Sequence, residues 1–200
     1  MNVLWCSNFS SQSAYSIQGR LWVNQLRKAG HHVDVFELSN GAGLPRRTTE
    51  GITVYPAGLD PLGSDMIEGY ARQLKADCII TLVDVWGLAG WPIERLGNLF
   101  PLTPVDHRPC PPDVAATAKR CAAPIAISRF GVGELQRADL SPLYWPHAID
   151  PDIWSPGDKQ AARARQNIDP NAFWVSFIGV NDSNPSRKGI PELLIAWQMW

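Results

Sequence analysis

Asp77-Cys78-Ile79-Ile80-Thr81-Leu82-Val83-Asp84 carries the strongest strand signal in the chain. An unbroken run of apolar and β-branched residues between two aspartates suits a strand covered on both faces, and such a strand belongs at the centre of a parallel sheet. The neighbouring segments fit that placement. Upstream, Val3 to Ser7 is a second short apolar run. A helical stripe of Ile17, Leu21, Trp22, Leu26 and Ala29 follows it over residues 16–29, with Arg27 and Lys28 in the last turn and Gly30 as the stop. Val33 to Leu38 and Gly51 to Tyr55 are predicted strands, separated by a loop over 39–50. Met66, Ile67, Tyr70, Ala71 and Leu74 form the stripe of a second helix that leads into the central strand.

Downstream the alternation continues. A short helix is expected over Ile93–Leu96, a strand over Leu102–Val105, a helix from Pro111-Pro112-Asp113 to Arg120, a strand over Pro124–Ser128, a helix over Phe130–Asp139 and a strand at Leu143-Tyr144-Trp145. Three prolines between Pro146 and Pro156 break the pattern and read as an interdomain connection. A polar helix over Asp158–Gln166, a strand over Phe173–Ile178 and an amphipathic helix through Ile190, Leu193, Leu194, Trp197 and Trp200 then restart it. The predicted fold class is α/β: a Rossmann-like parallel sheet with helices on both faces, plus the start of a second Rossmann-like domain. The expected division is 1–150 for the first domain, 151–170 for a linker and connecting helix, and 171–200 for an incomplete second domain.

Composition narrows the function. The 200 residues are 45% hydrophobic and 18% charged, which supports a buried core. Eighteen basic and nineteen acidic side chains give a net charge of −1, so no overall cationic field exists to hold nucleic acid. No apolar run approaches the roughly 20 residues of a membrane helix, and the amino terminus reads as a first strand rather than a signal peptide; the expected compartment is the cytoplasm. Cys6, Cys78, Cys110 and Cys121 lack any CxxC spacing and are expected to be buried thiols, with no metal site. Trp5, Trp22, Trp174, Trp197 and Trp200 fall in apolar periodic segments, and most of the nine tryptophans are expected in the core.

Candidate ligand contacts cluster where strands end. Asp106, His107 and Arg108 follow the Leu102–Val105 strand, and Asp84 follows the central one; ligands of open α/β sheets gather outside these carboxyl ends. His107 can bind a sugar oxygen or exchange a proton near neutrality, or it can be a surface histidine paired with its neighbouring carboxylate. Asp84 can hold a ligand hydroxyl or cap the next helix. Asn8, Ser13, Tyr15 and Ser16 sit in or beside a polar strand-to-helix loop suited to a polar ligand. The loop Gly179-Val180-Asn181-Asp182-Ser183-Asn184-Pro185-Ser186-Arg187-Lys188-Gly189 places two cations before a helix start, which is phosphate chemistry or equally an ordinary solvated loop. Neither GxxxxGK[ST] nor GxGxxG occurs, and the missing dinucleotide fingerprint disfavours a Rossmann oxidoreductase or epimerase. GxSxG and HExxH are absent too, so hydrolase and metalloenzyme readings have no support.

The order of these motifs resembles glycosyltransferase family 4 and its relatives, retaining enzymes of the GT-B fold. The resemblance runs through Val3-Leu4-Trp5-Cys6-Ser7-Asn8, Leu26 to Val33, Ile79 to Trp86, Pro104-Val105-Asp106-His107, Ile125 to Gly131, Pro146-His147-Ala148-Ile149-Asp150 and Arg187-Lys188-Gly189-Ile190. It implies transfer of a hexose from a nucleotide diphosphate sugar to a sugar, lipid or protein acceptor, with retention and without metal or cofactor. It implies His107, Arg187 and Lys188 as catalytic groups, and Arg187, Lys188, Asn181 and Ser186 as donor-phosphate contacts. Asn8, Tyr15, Ser16, Asp84, Asp106 and His107 are the implied acceptor contacts. The family's glycine-rich first loop is replaced here by Ser10-Ser11-Gln12-Ser13-Ala14-Tyr15, and the family's carboxylate motif of the donor domain has no counterpart in these 200 residues. The expectation is therefore a fragment with little activity alone. Phe173, Trp174, Phe177, Leu194 and Trp197 need a covering surface, which implies self-association or a chain cut short. The alternative is a non-catalytic carbohydrate- or nucleotide-binding module of the same fold.

Overall fold

The computed structural model describes residues 1–39, 43–179, 186 and 188–200. They form an α/β chain that divides into two units, Met1–Trp154 and Ser155–Trp200.

The first unit is built on one sheet. Its strands are β1 (Asn2–Ser7), β2 (His32–Glu37), β3 (Arg46–Arg47), β4 (Thr53–Pro56), β5 (Cys78–Leu82), β6 (Leu99–Thr103), β7 (Ile125–Ala126) and β8 (Leu143–Tyr144), in the order β3-β4-β2-β1-β5-β6-β7-β8. All pairs are parallel except β3 with β4. The β5 strand lies in the middle beside β1, with Trp5 opposite Ile80 and Ser7 opposite Leu82. Alternation along β1 explains the two covered faces. Val3 and Trp5 pack with Val33, Val35, Ile80 and Leu82 under Trp22, Val23 and Leu26 of helix α1 (Ala14–Lys28), while Leu4 and Cys6 face the other way. That opposite face holds Phe36, Ile79, Trp91 and Leu99 under Ile67, Tyr70 and Leu74, the stripe of helix α2 (Ile67–Gln73) and its carboxyl cap.

Helices α3 (Ile93–Leu96), α4 (Pro112–Lys119) and α5 (Arg129–Arg137) complete the unit. Ser128 caps α5 by accepting the Gly131 N–H at 2.9 Å. The carboxyl-terminal segment of the unit is strapped to α1: Gln18 Nε2 donates to the Ala148 carbonyl at 2.8 Å, and Trp145 meets Trp22 edge-on at 4.4 Å.

Two local expectations shift. The strand placed at 102–105 begins at Leu99, because Leu99 and Phe100 pair with Ile79 and Ile80 despite Pro101, and it stops before Pro104. Arg46–Arg47, inside the expected 39–50 loop, makes a two-residue edge strand whose paired charges suit an outer position. Cys6 and Cys110 are buried as expected, while Cys78 and Cys121 are only half-buried. All four cysteines are unbridged; burial pushes Cys6 well above its ordinary range and Cys121 up to about 12, so neither is a ready nucleophile.

The second unit contains helices α6 (Lys159–Arg165) and α7 (Ile190–Met199). Asp158 caps α6 by accepting from the Gln160 and Ala161 N–H groups. The strand expected over Phe173–Ile178 is irregular here. A strand needs a neighbour to take its backbone hydrogen bonds, and among the described residues this unit has none. The tryptophans divide in the same way: Trp5 is buried and Trp22 half-buried, but Trp174, Trp197 and Trp200 are exposed and not in a core. Among the described residues no helix is long and apolar enough to cross a membrane.

Gly63 tests the packing beneath the sheet. Its φ is +73°, and a Cβ there would fall 2.3 Å from Phe36 Cζ, a fully buried ring. Gly63→Ala is expected to destabilise the fold by about 2–4 kcal/mol, combining overpacking with left-handed strain. Urea denaturation checks this, through a lower midpoint at unchanged slope.

Candidate functional site

Strand order reverses at β1 and β5. The chain builds outward from β1 to β2 and β4, then returns to the other side of β1 to lay down β5 through β8. The loops leaving β1 and β5 therefore diverge in opposite directions and open a crevice, the usual ligand position in an open α/β sheet. Tyr15, in the first turn of α1, and Asp84, just past β5, meet across it: Tyr15 Oη donates to Asp84 Oδ1 at 2.8 Å. Asp84 makes no side-chain cap for the 3₁₀ turn over Val85–Leu88, so its carboxylate serves the crevice rather than the turn. Burial, then the hydrogen bond to Asp84, then the charges of Asp84 and Asp106 push the Tyr15 hydroxyl far above its ordinary pKa. Tyr15 thus keeps its hydrogen at neutral pH and donates it in the hydrogen bond to Asp84.

Asp106 and His107 follow β6, the next strand over. His107 Nδ1 lies 2.5 Å from Asp106 Oδ1, and both side chains are largely exposed. An ionised carboxylate only accepts, so Nδ1 carries the shared hydrogen and Nε2 is left facing outward from the pair. The exposed pair adds little to stability; its effect is to set the ring's orientation. Trp86, two residues after Asp84 in the chain, is 55% exposed.

The loop after β1 is shaped by side chains instead of glycines. Ser10 N–H donates to Glu37 Oε1 at 2.6 Å, and Arg46 from the edge strand reaches both the Ser10 hydroxyl and the Glu37 carboxylate. Arg20 of α1 donates to the Phe9 and Ser11 carbonyls. Ser13 caps α1, and Ser16 is buried with its hydroxyl 2.6 Å from that of Ser11 and 2.9 Å from that of Ser13. Its hydroxyl is therefore committed to the loop's own frame. Asn8 is half-buried at the start of the same loop. Arg108 turns away from the crevice: its Nε donates to Glu134 Oε1 at 2.7 Å, and its guanidinium lies over the Phe130 ring at 5.3 Å.

The structure thus brings Tyr15, Asp84, Asp106 and His107 to one sheet edge of the first unit, with Asn8 on the adjoining loop. In the second unit Lys188 is exposed just before Gly189, which takes a left-handed conformation (φ 67°) to open α7. Ser186 accepts the Gly189 N–H with its carbonyl, while its hydroxyl is buried without a hydrogen-bond partner. Asn181 and Arg187 lie outside the described residues. Among the described residues no group of three or more histidine, cysteine, aspartate or glutamate side chains is arranged to hold a metal ion. Sequence reading missed the Glu37–Arg46 clamp, which joins residues remote in sequence, and Glu134, a glutamate within a helix whose neighbours suggest solvent.

No protein-family model matches the chain, and no curated protein sequence matches it. Among solved structures it resembles sucrose-phosphate synthase from Thermosynechococcus elongatus, with a TM-score of 0.73 at 17% identity over 98% of this chain. The chain spans 59% of the length of that structure. At this identity the likeness establishes a shared fold.

The raised Tyr15 pKa has a definite sign. Folding favours the neutral phenol, so its contribution to stability is complete below the unfolded pKa of about 10 and is lost as pH rises through and beyond that value. Wild type is expected to lose more stability between about pH 9 and 12 than Tyr15→Phe, which lacks the titrating group. Denaturation midpoints measured across that range check it.

Proposed function

We propose that this chain carries the acceptor-side domain and the opening of the donor-side domain of a GT-B glycosyltransferase. The enzyme would transfer a hexose from a nucleotide diphosphate sugar with retention of configuration. The observation that carries this reading is the Tyr15–Asp84 contact across the β1/β5 crevice with Asp106–His107 beside it, on a fold shared with a structure whose name is that of a sugar-phosphate synthase. Tyr15 O–H, the Asp84 and Asp106 carboxylates and the His107 imidazole offer the mixed donors and acceptors that polyhydroxylated ligands require, and Trp86 adds a stacking surface.

In this reading the acceptor hydroxyl is held near His107 Nε2. The bond from the sugar's anomeric carbon to the donor phosphate breaks, and its electron pair leaves with the nucleotide diphosphate. The acceptor oxygen bonds to that carbon on the same face, and its proton passes to the departing phosphate oxygen. Lys188, with Arg187, neutralises the charge that develops on the leaving group, a stabilisation felt most strongly in the transition state. Ser186 and Asn181 are the accompanying polar contacts of the donor phosphates; Asn8 belongs to the acceptor side, and Ser16 to the hydroxyl network that shapes its loop. The chemistry needs no protein nucleophile, metal or cofactor.

The test is titration of the chain with a panel of nucleotide diphosphate hexoses and free hexoses, followed by NMR shifts and by a transfer assay. Hexose shifts are expected at Tyr15, Asp84 and His107. Lys188→Ala is expected to weaken nucleotide-sugar binding by about tenfold to a hundredfold, the usual worth of a charge-assisted hydrogen bond. Where transfer is measurable, His107→Ala should lower it by about tenfold, the worth of the hydrogen bond that holds the acceptor. Nucleotide-sugar binding that depends on Lys188, together with hexose shifts at the crevice, supports the transferase; binding of a hexose or a nucleotide alone favours the non-catalytic module, and binding of neither would overturn both.

A further inference from the structure

We infer that Glu134 is a positioning residue for the acceptor loop, acting through Arg108 to fix the His107 imidazole; this rests on the acceptor-side reading of His107. Glu134 has a completely buried side chain on α5. Its Oε1 accepts from Arg108 Nε at 2.7 Å and from Arg137 Nη1 at 2.5 Å, while its Oε2 is buried with no hydrogen-bond partner. Burying a carboxylate is costly unless every lone pair is met, and apolar side chains in place of a buried ion pair are often neutral or stabilising; here both arginines are largely exposed, so water can take over their charges if the carboxylate is replaced. Stability alone therefore does not account for this carboxylate.

Its two partners differ in kind. Arg137 is three residues along the same helix, a local pairing. Arg108 arrives from the other side, 26 residues away in sequence, and directly follows His107. Phe130, one turn before Glu134, lies under the same guanidinium at 5.3 Å, so Arg108 is gripped by a carboxylate and a ring face from one helix. Val105, at the other end of the stretch, is buried in one cluster with Ala126 and with Leu135 of α5. The loop is thus seated on α5 at Val105 and at Arg108, and the two exposed residues between these seats are Asp106 and His107. A helix that holds both ends of a four-residue stretch sets where its middle points.

The experiment compares wild type with Glu134→Leu, Glu134→Gln, Arg108→Ala and the Glu134→Leu/Arg108→Ala double variant. It reads the His107 ring resonances across pH, the affinity for glucose and N-acetylglucosamine, and the melting temperature. Glu134→Leu is expected to melt no lower than wild type, yet to move the His107 resonances and weaken hexose binding by about tenfold. Arg108→Ala should do the same to His107 and to binding, and the double variant should be no worse than either single change, as expected of residues acting in series. Glu134→Gln, which keeps an acceptor oxygen for Arg108, should recover part of the affinity. If Glu134→Leu fails to fold, Arg108→Ala decides, since Arg108 is largely exposed. Unmoved His107 resonances and unchanged hexose affinity in folded Arg108→Ala would overturn the inference while leaving the transferase reading in place. Displaced His107 resonances in a protein that binds no hexose would overturn the transferase reading and support the seating of the loop.

Discussion

The parallel pairing of Asn2–Ser7 with Cys78–Leu82 is the constraint on which the first unit depends. It joins the two halves of the sheet, buries Trp5 and Leu82 on one face and Leu4 and Ile79 on the other, and fixes the level at which two loops leave the sheet side by side. Everything ligand-facing follows from that level. Tyr15 meets Asp84 because α1 starts seven residues after β1 ends and because Asp84 lies two residues past β5. Shifting the register of either strand by one residue would turn its buried side chains to the wrong face, so the crevice is as firmly specified as the core itself.

Around that crevice, side chains take over work that a glycine-rich loop does by backbone conformation alone. Glu37 and Arg46 grip Ser10, Arg20 grips two carbonyls, and the hydroxyls of Ser11, Ser13 and Ser16 close on one another. A loop built in this way has fewer free N–H groups to offer an anion and more rigidity to offer a neutral ligand. The charges on β3 and the end of β2 are consequently part of the site's architecture, although neither lies within the crevice.

Much of this was legible in the residues. The alternation of periods two and 3.6 located β1, β2, β5, α1, α4 and α5 to within a few residues, because each pairs a continuous apolar face with an end signal such as Gly30, Pro112 or Ser128. Asp84 and His107 were placed just past strands by the same periodicity, and the structure puts them there. The failures share a physical cause. Phe173–Ile178 has the composition of a strand, but composition records only a need for burial, whereas a strand exists through its neighbours. Arg46–Arg47 has no apolar pattern to announce it. Ser16 looked like a ligand contact and is buried in a cap network. Glu134 was invisible because a glutamate between Gly133 and Leu135 looks solvated until Arg108 is placed beside it, and nothing local in sequence places it there.

The strap between Gln18 and Ala148 has a mechanical consequence. Tyr15 and Gln18 are three residues apart, less than one turn of the same helix, so they move as one body. One end of that turn touches Asp84 past β5; the other holds the backbone at Ala148 near the end of the first unit. A tilt of this turn displaces both contacts together, so the loop after β5 and the segment at Ala148 are linked through one helical turn without passing through the core.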